Sequence, residues 1–335
     1  MRHLVVTRAG PAMTVQDGGR LGMLMEGLSR GGAADSVALA EGAALLGQSV
    51  DLAALEMAGH GGAFTVSDTT RIALTGAPMR ADIDGKSLPW NASHVIAPGQ
   101  TLTVGGCEKG TYGYLHLGGG IATQPILGSR AAHLVAGIGG LVQAGDRLPL
   151  GPDARTEPGL VLGVDDRFSG GAIRIVESAQ SALFTASERA RFEATDFTRD
   201  VRANRMGVRL TMEGEGFAAD RQLSILSEVI VPGDIQVTGD GTPFVLLPEC
   251  QTTGGYPRIG TVIPADLPAV AQAGPGALLR FRFVSFEEAL EAERRHRTML
   301  RDLPRRPRHA VRDPRDMPDL LSYRLIDGMI SAHDT

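Results

Sequence analysis

The chain has 335 residues, 43% of them hydrophobic, and a net charge of −5. That length allows two domains with a core each, and the mild acidity excludes the basic excess that nucleic acid or an anionic membrane would select. Two cysteines, Cys107 and Cys250, are too few for a disulfide framework and fit a reducing compartment.

The amino terminus, Met-Arg-His-Leu-Val-Val, turns polar at once, and no later run approaches a membrane span, so the expected location is cytoplasmic, with no membrane or nucleic-acid partner. Of the 33 basic residues only Lys86 and Lys109 are lysines. Arginine forks bind carboxylates and phosphates in two-pronged fashion, and genomic base bias gives the same imbalance.

Taken in chain order, the elements are mostly strands. Short runs bounded by Gly, Pro or Asp fall at 71–75, 101–104, 112–117 and 172–176. The strict alternation of Leu279-Arg280-Phe281-Arg282-Phe283 sets three apolar side chains on a core face and both arginines on the other. Helices are few. Asp35 is placed to cap 36–46, Ser187 to cap 188–194, and a charged helix is expected over 287–303. Apolar residues at helical intervals over 320–330 suit docking onto this chain or a neighbour. The pattern favours β-barrels or sandwiches with peripheral helices over an alternating parallel fold. A weak echo between 115–145 and 246–274 suggests duplication. The motif-poor interval Gly151 to Gly171 is the candidate boundary, giving lobes at 1–155 and 170–285 and a helical extension at 286–335.

Several familiar signatures fail on inspection. Gly27-Leu28-Ser29-Arg30-Gly31 has the spacing of a nucleophile elbow but follows too little chain for the strands such a fold needs. Gly85-Lys86-Ser87 lacks a P-loop's first glycine, because that position is Arg80. The eight histidines are scattered without a metal-binding pair, so no metal is expected. His116 lies on the strand face opposite Leu115 and Leu117, which reads as a solvent-side or hydrogen-bonded imidazole.

The most informative stretch is Gln251-Thr252-Thr253-Gly254-Gly255-Tyr256-Pro257, which follows the apolar run 243–248. Its glycines allow backbone to approach a ligand while its amide and hydroxyls hydrogen-bond it; the alternative is an ordinary Gly-Pro turn. Cys250 directly before it reads as a packing residue.

This loop does not stand alone. Together with Thr14 to Gly22 (TVQDGGRLG), Gly31 to Asp35 (GGAAD), Leu127 to Arg130 (LGSR), Asn204 to Leu210, Ser227 to Val237 and Ile263 to Pro268, it resembles, in order, the biotin-dependent carboxyltransferase-like family. That family includes allophanate hydrolase subunit 2, the C subunit of ATP-dependent 5-oxoprolinase (KipA-like proteins) and half of the urea carboxylase carboxyltransferase domain. Glu249 and Cys250 depart from the aspartate and arginine usual there.

The resemblance implies a mainly β fold of two cyclophilin-like β-barrel lobes with a few peripheral helices and a C-terminal helical tail. It also implies the opening of 5-oxoproline to glutamate together with A and B subunits, with ATP shared among the subunits. The alternatives are a carboxyltransferase component acting on urea or a related amide, and a regulatory protein that sequesters a kinase-inhibitor partner. Neither lysine sits in a Met-Lys-Met context, so no biotin is expected to be covalently attached to this chain. Within the matching blocks, Gln251, Thr252, Thr253, Gly254, Gly255, Tyr256, Arg205, Arg130 and Ser129 are the candidate substrate-binding residues. Asp17, Arg20 and Asp35 are the candidate loop-organising residues, Asp17 and Arg20 as an ion pair and Asp35 also as a helix cap.

Overall fold

The computed structural model describes residues 2–153, 157–219 and 226–310. It is mainly β. A six-stranded sheet runs in the order Arg147–Pro149, His3–Arg8, Ala63–Val66, Leu102–Cys107, Met79–Ile83, Lys86–Ser87. A seven-stranded sheet runs Met13–Gln16, Ala54–Ala58, Tyr112–Leu117, Thr70–Gly76, Ala92–Ile96, Leu160–Val161, Arg308–His309. Side chains from both, among them Leu4, Val6, Met57, Phe64, Ile72, Leu102 and Leu115, form one buried core. In the second half, Gly170–Val176, Arg258–Val262, Asp234–Val237, Pro243–Leu246, Gly207–Thr211, Phe197–Asn204 and Leu278–Phe283 form a closed barrel. Its first and last members pair in parallel to complete the circle. The expected alternation holds in the closing strand, where Leu279 and Phe281 are buried and Arg280 and Arg282 exposed.

Among the described residues four α-helices dress the sheets. Helix α1, Ser36–Leu46, starts where the Asp35 carboxylate accepts from the amides of Val37 (3.0 Å) and Ala38 (3.1 Å), and ends at Gly47 in the left-handed conformation, φ 58°. It covers the outer face of the central strands Thr70–Gly76 and Tyr112–Leu117, so those strands are buried on both faces. That cover settles His116. The imidazole is buried, with Nε2 2.8 Å from Thr75 Oγ1, and burial pushes its pKa down to about 3. It is a hydrogen-bonded neutral histidine inside the protein, not a solvent-side one. Gly42 of α1 makes the room, since a Cβ there would lie 2.2 Å from the ring.

Helix α2, Ala186–Ala194, is capped by Thr185, whose hydroxyl accepts from the Glu188 amide at 3.1 Å; Ser187, expected to be the cap, lies inside the first turn. The helix closes one end of the barrel with Phe192, whose ring centroid is 4.8 Å from that of Phe197. Helix α3 is Leu267–Gln272 and helix α4 is Phe286–Asp302, the latter capped by Ser285 and within one residue of the expected span at each end. Beyond α4 the chain returns to the first half. Leu303 packs with Leu45, Leu46 and Leu162, and His309 pairs with Leu160. The apolar pattern over 320–330 lies outside the described residues. No helix among the described residues is long and apolar enough to cross a membrane.

Candidate functional site

The two halves meet at a cleft of about 160 Å³ whose walls come from segments far apart in sequence: Asp17 and Gly18; Arg30, Ala33, Ser36 and Leu39; and Pro232, Pro248, Pro264 and Pro268. Segments 17–20 and 30–33 are zipped by the Arg20 amide on the Arg30 carbonyl (2.7 Å) and the Ala33 amide on the Asp17 carbonyl (2.9 Å). Only glycine allows so close an approach. Gly32 has φ 80° and a Cβ there would lie 2.7 Å from the Gly19 nitrogen. The Gly31 amide then reaches across the cleft floor to the Pro248 carbonyl at 2.9 Å.

Below that floor runs a buried polar network joining the halves. Arg205 sits on the hairpin tip between Phe197–Asn204 and Gly207–Thr211. Its Nε donates to Glu249 Oε1 at 2.5 Å, Nη1 donates to Glu56 Oε1 and Nη2 to the Gly32 carbonyl. Burial works against this charge, yet the Glu56 and Glu249 carboxylates outweigh it and hold the guanidinium pKa above its usual value. Glu56 Oε2 accepts from Tyr114 Oη (2.6 Å) and the Ala34 amide (2.9 Å), while Tyr114 Oη accepts from the Asp35 amide (2.9 Å). Asp35 Oδ2 in turn accepts from Arg167 Nε (2.7 Å) and Gln272 Nε2 (2.8 Å), so this cap residue ties α1 to both Arg167 and α3. Glu249 Oε2 accepts from the Leu134 amide at 2.9 Å.

Glu56, Glu249, Tyr114, Arg167 and Gln272 are the residues that sequence reasoning missed as members of this assembly. One signal was present. Glu56 is a lone carboxylate in the otherwise apolar strand Ala54–Ala58, and a buried charge requires a partner.

Asp17 and Arg20 do not pair with each other; each grips the turn at 126–131. Asp17 accepts from Ser129 Oγ (2.6 Å), the Arg130 amide (2.6 Å) and the Gly19 amide (2.9 Å). Arg20 donates to the carbonyls of Ile126 (3.1 Å) and Ala131 (2.6 Å). Ser129 is thus buried against Asp17, while Arg130 is half-buried.

The 251–257 loop forms a small ribbon, with Thr253–Gly254 pairing with Glu228–Val229 and the Ile230 amide donating to the Thr252 carbonyl at 3.1 Å. Both arms of the ribbon lead to prolines that line the cleft, Pro232 and Pro248, which sets the loop beside it. Gln251, Thr253, Gly255 and Tyr256 are exposed, and Thr252 and Gly254 are half-buried. Gly254 leans on Gln236, whose Nε2 a Cβ would meet at 2.4 Å. Cys250 packs with Ile230 and Leu246; burial, with the Asp234 carboxylate adding to it, pushes its thiol up to about 12, which makes it inert.

Ser29 lies 2.9 Å from His133 Nε2, but the Ala136 amide donates to His133 Nδ1 at 3.3 Å. That amide also donates to the His133 carbonyl at 3.1 Å, so both tautomers fit, and Ser29 and His133 form a buried polar pair. The N-terminus of α1 does not present itself to a phosphate, because the Asp35 carboxylate already takes its amides. The residues here do not form a nucleotide phosphate cradle.

Residues 26–283 match the model of the carboxyltransferase domain, subdomain A and B. The chain belongs to this family. It is 37% identical to the C subunit of 5-oxoprolinase from Escherichia coli strain K12 over 296 residues, 86% of this chain and 94% of that one. With the C subunit of the Haemophilus influenzae 5-oxoprolinase it shares 32% identity over 299 residues, 87% of this chain and 94% of that one. The crystal structure of the K. lactis urea amidolyase superposes with a TM-score of 0.81 at 22% identity, over 90% of this chain and 20% of that one, a likeness of fold. The matched span takes in the cleft walls from Arg30 onward.

Proposed function

We propose that this chain is the C subunit of an ATP-dependent 5-oxoprolinase, opening 5-oxoproline to glutamate together with A and B subunits. The observation that carries this reading is the likeness to two 5-oxoprolinase C subunits over nearly their whole length. The site supports it in kind. A cleft between the two halves, with the exposed Gln251 amide and the hydroxyls of Thr253 and Tyr256 on a loop that leaves its wall at Pro248, suits a small polar ring whose amide needs both donors and acceptors. With no phosphate cradle in this cleft, the nucleotide is assigned to surfaces completed by the partner subunits, and no step is routed through it on this chain.

The test is glutamate release from 5-oxoproline by the chain mixed with its A and B partners. Release that needs both ATP and this chain is the expected result; no release from a folded, associated complex overturns the reading. Gln251→Ala is expected to lower turnover about 3- to 10-fold, the worth of one hydrogen bond, with the melting temperature unchanged because the side chain is exposed. Unaltered turnover removes Gln251 from the site. The family match favours one second reading, transfer of a carboxyl group from carboxybiotin on another chain to a urea-like amide. Dependence of activity on bicarbonate and a biotin carrier is its signature.

A further inference from the structure

Among the side chains that line the cleft, one cation is anchored but not neutralised. Arg30 and Gly18 both line it, and Arg30 Nε donates to the Gly18 carbonyl at 2.8 Å, which fixes the guanidinium head at the cleft wall. Among the described residues this is the side chain's one hydrogen bond, so Nη1 and Nη2 are unpartnered, and the residue is exposed. Its backbone is fixed on both sides. The Arg30 carbonyl accepts from the Arg20 amide at 2.7 Å, and the Gly31 amide donates to the Pro248 carbonyl at 2.9 Å.

The other charges nearby are already engaged. Arg20 holds the turn at 126–131, and Arg205 is shared between Glu56, Glu249 and the Gly32 carbonyl. Asp17 is the one acid among the lining residues, and its carboxylate is taken up by Ser129 Oγ and the amides of Gly19 and Arg130. Apart from Ser36, the remaining lining side chains are apolar, with Leu39, Leu267 and four prolines the largest. A guanidinium held through Nε keeps its plane oriented and offers the Nη1–Nη2 pair, which receives a carboxylate in two-pronged fashion. The apolar wall around it suits the methylene carbons of a small ring.

We propose that Arg30 is the specificity-determining residue of the cleft, its Nη1 and Nη2 donating to the carboxylate of a small cyclic acid whose ring lies among Leu39, Leu267 and the prolines. The choice of acid, 5-oxoproline, rests on the oxoprolinase reading. Urea carries no carboxylate and leaves this fork idle, so the same residue separates the lactam acid from a urea-like amide.

The test is calorimetric titration of the full chain, mixed with its A and B partners and without ATP. The probes are 5-oxoproline and 2-pyrrolidone, the same ring without the carboxylate. The wild type is expected to bind 5-oxoproline about 10- to 100-fold more tightly than pyrrolidone, the worth of hydrogen bonds to a charged group. Arg30→Gln is expected to abolish that preference while pyrrolidone affinity and the melting temperature stay unchanged, because the side chain is exposed. With ATP present, the same variant is expected to raise the KM for 5-oxoproline by that factor at an unchanged kcat. Arg30→Lys, which keeps the charge without the fork, is expected to restore part of the preference. The inference is overturned if 5-oxoproline does not bind, if the wild type shows no preference for the acid, or if Arg30→Gln keeps the preference. Equal weakening of both probes in Arg30→Gln also overturns it, since that is the mark of a structural role. Preferential binding without glutamate release overturns the oxoprolinase reading alone and supports Arg30 as the carboxylate site.

Discussion

Arg205 shows how a residue chosen for ligand chemistry also serves the structure. Its guanidinium is shared between two carboxylates and a carbonyl at the junction of the halves. Removing it leaves Glu56 and Glu249 buried without their counter-ion, so Arg205→Ala is expected to cost about 3–5 kcal/mol, measured by urea denaturation. A loss under about 1 kcal/mol would mean the pair behaves as a solvent-screened surface contact.

His116 makes the opposite point, since it is buried as a neutral group. The folded imidazole titrates near 3 against 6.5 in the unfolded chain, so between those values only the unfolded state takes up the proton. The stability owed to this group is therefore whole above pH 6.5 and drains by about 1.4 kcal/mol per pH unit as the pH falls towards the folded value. In His116→Gln the slope of stability against pH over that window should be shallower by that amount, and equal slopes would remove the assignment.

Among the elements, α1 carries the most consequence because it is buried along almost its whole length. Helix propensity alone says Gly42→Ala should stabilise by roughly 0.5–1 kcal/mol. The Cβ at 2.2 Å from the His116 ring says otherwise. Overpacking of this kind is expected to cost about 1–3 kcal/mol, and thermal unfolding reads the sign directly. The start of this helix was legible because capping is local, an aspartate and the amides two and three places on. The same logic went astray at α2, where Thr185 and Ser187 are both able to cap and only the path of the incoming chain selects Thr185. Strand positions were legible from alternation, but their outer faces were not. Whether the polar side of Tyr112–Leu117 meets water or a helix depends on where α1 lies, not on the strand's own residues.

For the whole molecule, the returning end of the chain is the feature to test. Leu303 is 2% exposed against α1, whereas Leu290, in the second turn of α4, is 40% exposed. Leu303→Ala is expected to cost about 2–5 kcal/mol and Leu290→Ala less than about 0.5 kcal/mol, with chemical denaturation of both variants as the check. Equal effects would show that the end of the chain does not brace the first half.

By itself the sequence determined what is local or ordered: a mainly β chain, the capped α1, the alternating closing strand, and ordered blocks that resemble a carboxyltransferase-like family. Only the tertiary structure decided which blocks meet. Asp17, Arg30, Leu39, Pro232, Pro248 and Pro264 line one cleft, and Glu56, Asp35, Arg167, Arg205 and Glu249 share one network, although no periodicity or spacing links them. The physical reason is burial. A charge taken out of water must be paired, but which partner supplies the pairing is set by the packing of two lobes, and that packing is a property of the surfaces they bury together.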